Sequence, residues 1–233
     1  MILYMNAMEE LLALRDEEQA KHLMRFFKTD KGQYGEGDKF LGIRVPQNRL
    51  IAKKYYKNIS FTELQTMLNN QYHEIRLCAL LMMVYLYERT DKKDKIVKLY
   101  LRNVRNINNW DLVDLTAPKI LGAHYLKTRD SSDIRRLADS EQLWAERIAV
   151  VSQWTILKEG EFKLLISLCE KFLGHKHDLM HKAVGWMLRE AGKKDKEILL
   201  HFLDKHAKAM PRTALRYSIE KLTPAQRKFY MSK

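Results

Sequence analysis

An indole and a carboxylate set four residues apart give this chain its clearest chemical signal. They lie in Asn108-Asn109-Trp110-Asp111-Leu112-Val113-Asp114-Leu115-Thr116-Ala117-Pro118, at the opening of an amphipathic segment. On a helix, residues i and i+4 sit one above the other, so Trp110 would form an aromatic wall beside the anion of Asp114. Aromatic faces and carboxylates both attract positive charge, and more strongly where water is excluded. A packing account competes with this reading: Asn109 or Asp111 caps the helix, Trp110 enters the core, and Asp114 pairs with a neighbouring arginine. Asp111 is the alternative reactive carboxylate. Three residues turn a helix by about 300°, so Asp111 and Asp114 need not share a pocket.

Other chemistry-bearing residues are weaker candidates. His175, His177 and His181 include an i, i+4 pair, but no cysteine lies near them and no third ligand has obvious geometry, so no metal is expected. Cys78 and Cys169 each sit inside apolar runs, where a free thiol behaves as a small buried hydrophobe. Met82, Met83 and the run Tyr85-Leu86-Tyr87 read as core, as do Trp144 and Trp154. Gly32-Gln33-Tyr34-Gly35-Glu36-Gly37-Asp38 is rich in turn formers but lacks the Gly/Lys/Ser-or-Thr spacing of a phosphate-cradling loop. It reads as a connector, with Pro46 suited to the start of the next helix, Gln47 to Tyr56.

The elements that must position the Trp110–Asp114 pair read as helices throughout. The first thirty residues predict a helix or helix pair, with Leu11, Leu12, Leu14, Leu23, Phe26 and Phe27 spaced for an apolar stripe. Beyond residue 45 a pattern recurs in which a polar residue precedes a small alanine by two or three positions, or by one in the case of Lys182 and Ala183. The alanines are Ala52, Ala79, Ala117, Ala149, Ala183 and Ala214, at intervals typical of helical repeats. Second helices are expected between them at 61–68, 94–101, 132–137, 162–173 and 196–207. The predicted fold is all-α: a HEAT-like solenoid of stacked antiparallel helix pairs, one domain over residues 1–233, with a concave basic groove. The repeated polar position would line that groove with Arg49, Arg76, Asp114, Arg147, Lys182 and Arg212.

Composition agrees with a large core and narrows the partners. Of 233 residues 46% are hydrophobic, and four prolines and nine glycines are too few for a linker-rich chain. The net charge of +13 favours a polyanion such as nucleic acid over an acidic membrane surface. No apolar run approaches the roughly 20 residues of a spanning helix, and the opening residues lack a signal-peptide pattern. A cytoplasmic protein, acting as a monomer, is expected.

A basic groove holding one carboxylate beside a tryptophan suits a polyanion with one site that becomes cationic. Hydrolysis of an N-glycosidic bond creates such a site, because the sugar passes through an oxocarbenium-like state. An already cationic alkylated base needs no protonation to leave, so a single carboxylate suffices.

The residues also carry a resemblance. The chain resembles the AlkD family of bacterial DNA glycosylases, the DNA alkylation repair enzymes built of HEAT-like repeats. The matching segments are residues 32–46, Asn109-Trp110-Asp111-Leu112-Val113-Asp114, Trp144-Ala145-Glu146-Arg147-Ile148-Ala149, 182–190 with Lys182-Ala183-Val184-Gly185-Trp186, and 210–217. The combination is specific, and it runs from about residue 30 to about 220. The resemblance implies excision of 3-methyladenine and 7-methylguanine from duplex DNA, with no metal or organic cofactor. It further implies Asp114 as the catalytic carboxylate, Trp110 and Trp186 as active-site tryptophans, and Arg147 as a holder of DNA phosphate. One departure stands out: Glu146 occupies a position where many members have a second arginine. The competing function is a non-catalytic helical-repeat scaffold that binds nucleic acid or protein, which would have no reason to assemble Trp110, Asp114 and Trp186.

Overall fold

The computed structural model describes residues 6–233, and every regular element among them is helical. One isolated parallel bridge, Lys39 to Tyr72, is the only extended pairing among these residues. The chain divides into two compact units, Met1–Thr116 and Ala117–Lys233.

The first unit contains Ala7–Ala13 (α1), Glu17–Phe26 (α2), Val45–Tyr55 (α3), Phe61–Leu68 (α4), His73–Arg89 (α5), Lys93–Arg102 (α6) and α7, Trp110–Ala117. Its starts follow capping chemistry. Asn6 and Glu9 form a capping box on α1, Ser60 and Glu63 another on α4, and Asp16 accepts from Gln19 at the head of α2. Helix α5 is the axis of the unit. Every residue from His73 to Val84 is buried, and α3, α4 and α6 all pack on it. A helix that is apolar all round has no face to give to water, so it occupies the middle.

The second unit contains Ala123–Thr128 (α8), Ser132–Ala138 (α9), Leu143–Val151 (α10), Gln153–Lys158 (α11), Lys163–Lys171 (α12), Asp178–Lys194 (α13), Lys196–His206 (α14), Arg212–Ser218 (α15) and Pro224–Met231 (α16). Helix α13 packs on α10, α11, α14 and α15. Between α7 and α8 the chain makes one wide turn, Pro118–Gly122. Pro118 has no N–H to continue the ladder, and Thr155 Oγ1 donates to its carbonyl at 2.7 Å.

The predicted repeat is present at the level of packing. All six recurrent alanines lie on helices (α3, α5, α7, α10, α13 and α15) and none is more than 1% exposed. The five predicted second helices correspond to α4, α6, α9, α12 and α14. The fold is therefore all-α and built of helical repeats. Cys78, Cys169, Met82 and Met83 are buried as expected. Burial pushes both thiols far above their ordinary range, which keeps them inert. The N-terminal stripe is only partly as expected: Leu11 and Phe27 are buried, whereas Leu12, Leu14 and Phe26 are exposed.

Candidate functional site

Three stretches of the first unit meet around a cavity of about 440 Å³: the end of α2 with the loop to α3, the first turn of α5, and the first two turns of α7. Phe26, Phe27, Phe40 and Trp110 supply aromatic wall, and Asp111 and Asp114 both face the space. Trp110 and Asp114 are each half-buried. The i, i+4 spacing has thus put indole and carboxylate against one cavity, and Asp111 joins them there, which helical direction alone did not suggest.

The wall is a chain of rings. Phe27 stacks on Phe40 with centroids 5.1 Å apart and on Trp110 at 5.3 Å, while the exposed Phe26 meets Trp110 edge-on at 6.0 Å. Such offset and edge contacts hold rings in a defined orientation. Helix α7 begins where the side chain of buried Asn109 accepts from the Trp110 N–H at 2.9 Å. Asp111 has a different partner from the cap expected of it.

That partner is His73, the first residue of α5. Its Nε2 lies 2.8 Å from Asp111 Oδ2, and its Nδ1 lies 3.2 Å from Asp38 Oδ2 in the Gly-rich loop. Arg76 closes the network, with Nη2 donating to Asp38 Oδ1 at 2.7 Å and to Asn108 Oδ1 at 2.9 Å. Burial works against charge on His73, but Asp111 and then Asp38 outweigh it, and the imidazole is pushed up to about 9. Asp38 is likewise held below the usual carboxylate range: burial opposes this, and the hydrogen bond from His73 and the Arg76 guanidinium overcome it.

The loop is strapped down beside this network. The buried Glu74 carboxylate accepts from the N–H groups of Leu41 at 2.9 Å, Gly42 at 2.9 Å and Ile43 at 3.2 Å. Gly42 has φ +92°, and a Cβ there would stand 2.1 Å from the Asp16 carbonyl oxygen. Only glycine satisfies both the turn and the close approach. The stretch that follows the connector is therefore a structural wall of the cavity, through Phe40 and Ile43.

The predicted basic residues fall into different environments. Arg76, expected to face DNA, is 4% exposed, and Nε and Nη1 donate to the carbonyls of Asn106 and Asn70 while Nη2 serves Asp38 and Asn108. It serves the fold, because a guanidinium this buried, with four of its five N–H donors used inside the core, is turned away from solvent and from a phosphate. Arg147 on α10 is also 4% exposed and donates through Nη1 to the Leu179 carbonyl. Glu146 beside it is buried, 3.1 Å from His175 Nε2. Arg49 on α3 is half-buried, Lys182 on α13 pairs with Asp178 at 2.9 Å, and exposed Arg212 starts α15 with Nη2 donating to the Met231 carbonyl.

Trp186 is half-buried on α13, one turn after Lys182. Trp144 and Trp154 are half-buried too, not core; the Lys158 ammonium sits over the Trp154 ring, 3.2 Å from its centroid. The histidine spacing has a local explanation. His177 Nδ1 accepts from the Leu179 N–H to cap α13, and His181 Nε2 donates to the His175 carbonyl. Among the described residues no group of three or more His, Cys, Asp or Glu is placed to hold a metal ion.

Phe27, Phe40, Asp38 and His73 were not expected at the site from the sequence, where Phe27 reads only as part of an apolar stripe. Their one visible signal was position: Asp38 and Phe40 flank the end of the only Gly-rich loop, and His73 opens the one helix with an uninterrupted apolar run.

Comparison with known proteins gives the chain a family. The family model described as DNA alkylation repair enzyme matches residues 7–222. The fold is similar to the solved structure of a predicted DNA alkylation repair enzyme from Enterococcus faecalis, with a TM-score of 0.72 and 17% identity over 90% of this chain and 97% of that one. No curated protein matches the sequence.

Proposed function

The chain belongs to the family of DNA alkylation repair enzymes, and from that premise we propose that it is a DNA glycosylase. Its substrates are cationic alkylated purines, 3-methyladenine and 7-methylguanine, in duplex DNA. The observation that carries this reading is the cavity that brings Trp110 and Asp114 together behind an aromatic wall.

The chemistry follows from the charge of the substrate. In an N-alkylated purine nucleotide the base already bears the positive charge, so the bond between C1′ and the base nitrogen breaks with its electron pair going to the base, which leaves neutral. The positive charge passes to the sugar as an oxocarbenium-like state. Asp114 stabilises that charge and orients a water whose oxygen bonds to C1′ and whose proton is released to the carboxylate or solvent. A preorganised anion in a partly dry site is worth more than in water. Trp110 offers its face to the cationic base or sugar. Asp111 is less suited to this work, because its Oδ2 is committed to His73.

In the second unit, Trp186 is assigned as a further active-site tryptophan and Arg147 as a phosphate holder, on the resemblance of their segments. Arg49, Lys182 and Arg212 are assigned as DNA contacts on charge and accessibility. No metal or organic cofactor enters the scheme.

The deciding experiment incubates the purified protein with duplex DNA methylated at purine nitrogens and identifies the free bases in the soluble fraction. Release of 3-methyladenine and 7-methylguanine above the spontaneous rate is expected. Tight DNA binding with no base released would favour the scaffold reading instead.

A further inference from the structure

His73 sits inside the network without touching the cavity chemistry assigned above. Both of its ring nitrogens face carboxylate oxygens, Asp111 Oδ2 at 2.8 Å and Asp38 Oδ2 at 3.2 Å. An ionised carboxylate only accepts, so two such partners require two N–H donors on the ring. The imidazole with both partners ionised is therefore an imidazolium. The charges then close: Asp38 and Asp111 carry two negatives, and His73 and Arg76 two positives, all in residues no more than 7% exposed. A buried cluster with its charges balanced and its donors used escapes most of the desolvation penalty of isolated ions. The ring also lies against Phe40 at 4.6 Å and Phe27 at 5.1 Å, faces that favour a cation.

Resting on the glycosylase reading, we propose that His73 is a positioning residue: as an imidazolium shared by Asp38 and Asp111, it clamps the first turn of α7 to the Gly-rich loop and so sets the Trp110–Asp114 face of the cavity. The connectivity makes this specific. Asp111 lies between Trp110 and Asp114 on α7, and it reaches α5 through His73. Asp38 belongs to the loop that also carries Phe40, and Phe27 lies tilted against His73 and stacks on Trp110. Asp111 Oδ1 is buried with no hydrogen-bond partner, so the hold on this carboxylate runs through Oδ2 and His73. Losing the ring proton would leave one carboxylate facing a nitrogen lone pair and would give the cluster a net negative charge beside the cavity.

The groups facing His73 decide how it titrates. They are Asp38 from the loop, Asp111 from α7, and Arg76 on its own helix, with Glu74 on α5 turned to the loop backbone. Helix α2 and its C-cap bring Leu23, Phe26 and Phe27 to this cavity and no ionisable group, and the start of α3 with its N-cap brings Arg44, Val45 and Pro46. The imidazole is pushed up to about 9 against an ordinary value near 6.5. Its contribution is thus complete below about 6.5 and is lost as pH rises through about 9.

The test uses the full chain and two readouts. The first needs no substrate: ¹³C-labelled histidine side chains are followed by NMR from pH 5 to 10.5, with the His73 signal assigned by its loss in His73→Gln. We expect a midpoint near 9 in the wild type, a lower midpoint in Asp111→Asn, and little change in Asp114→Asn. The second readout is release of 3-methyladenine against pH. The wild type should hold its rate to about pH 8 and fall through about 9, with the melting temperature at pH 8 and 9.5 confirming a folded enzyme. Gln at position 73 cannot donate to both carboxylates, so His73→Gln should release base at least tenfold more slowly at pH 7, bind duplex DNA as the wild type does, and lose the alkaline limb. A His73 midpoint between 6 and 7 overturns the proposal, and so does a wild-type rate flat to pH 10, which needs no variant and decides the matter even if His73→Gln fails to fold. Wild-type protein that releases no base at any pH, while His73 titrates near 9, would defeat the glycosylase reading and leave the ion cluster standing.

Discussion

At the scale of single residues, the cavity separates two carboxylates that the sequence offers as near equivalents. Asp111 is buried and spends an oxygen on an imidazolium, so its charge is answered inside the protein. Asp114 is half-buried on the same wall beside Trp110. Asparagine at 114 keeps shape and helix propensity while removing charge, which isolates the electrostatic contribution. We expect Asp114→Asn to slow base release by about two to three orders of magnitude, the loss typical of one preorganised group. Its affinity for duplex DNA should stay the same or rise, because an anion has been removed from beside a polyanion. Measuring melting, affinity and excision on one preparation checks all three, and a stable Asp114→Asn protein that excises at the wild-type rate removes Asp114 from the mechanism.

At the scale of elements, the cavity depends on how a glycine-rich loop is made rigid. Glu74 does this from α5 by receiving three consecutive backbone N–H groups, at Leu41, Gly42 and Ile43. Glutamine in its place would present an N–H₂ group to backbone donors, leaving at least one of them unpaired in a buried setting, at a cost of about 1–3 kcal/mol. We expect Glu74→Gln to raise amide hydrogen exchange at residues 41–43 by ten- to a hundredfold, while amides in the middle of α13 keep their protection. Unchanged exchange at those three amides would show that the loop is held by other contacts. The same element explains what sequence reading reached and what it did not. Trp110 and Asp114 were legible because their relation is local, four residues on one helix. Phe27, Phe40, Asp38 and His73 are tied to α5 and α7 through contacts spanning some 30 to 80 positions, such as Asp38 to His73 and Phe27 to Trp110, and no spacing rule encodes those. The helical repeat was readable for the opposite reason: each alanine marks a close approach that recurs with the helices themselves. Arg76 was misplaced because the repeat frame treats equivalent positions as sharing an environment. Its neighbours Ile75 and Leu77 to Val84 form an apolar run on all sides of α5, and a charge set in such a run is a buried one.

At the scale of the whole molecule, the excess of positive charge, +13, has to be divided between cations that serve the fold and cations that can serve DNA. Arg76 belongs to the first group by burial and by its partners. Arg147 is buried, and Arg49, Lys182 and Arg212 keep a half-exposed or exposed side chain. A phosphate contact displaces condensed counterions, so the slope of log affinity against log salt counts such contacts at about 0.9 each for duplex DNA. Replacing Arg49, Lys182 and Arg212 together by alanine should therefore reduce the magnitude of that slope by roughly two to three units. The loss should be similar for unrelated sequences, since contacts to phosphate position a protein without reading bases. Stability should change little: Lys182 loses a largely exposed ion pair with Asp178, worth about 0–1 kcal/mol, and Arg212 one exposed hydrogen bond to Met231. A triple variant that melts as the wild type does and keeps the wild-type salt slope would mean that DNA is held by other cations, and the assignment of these three would have to be withdrawn.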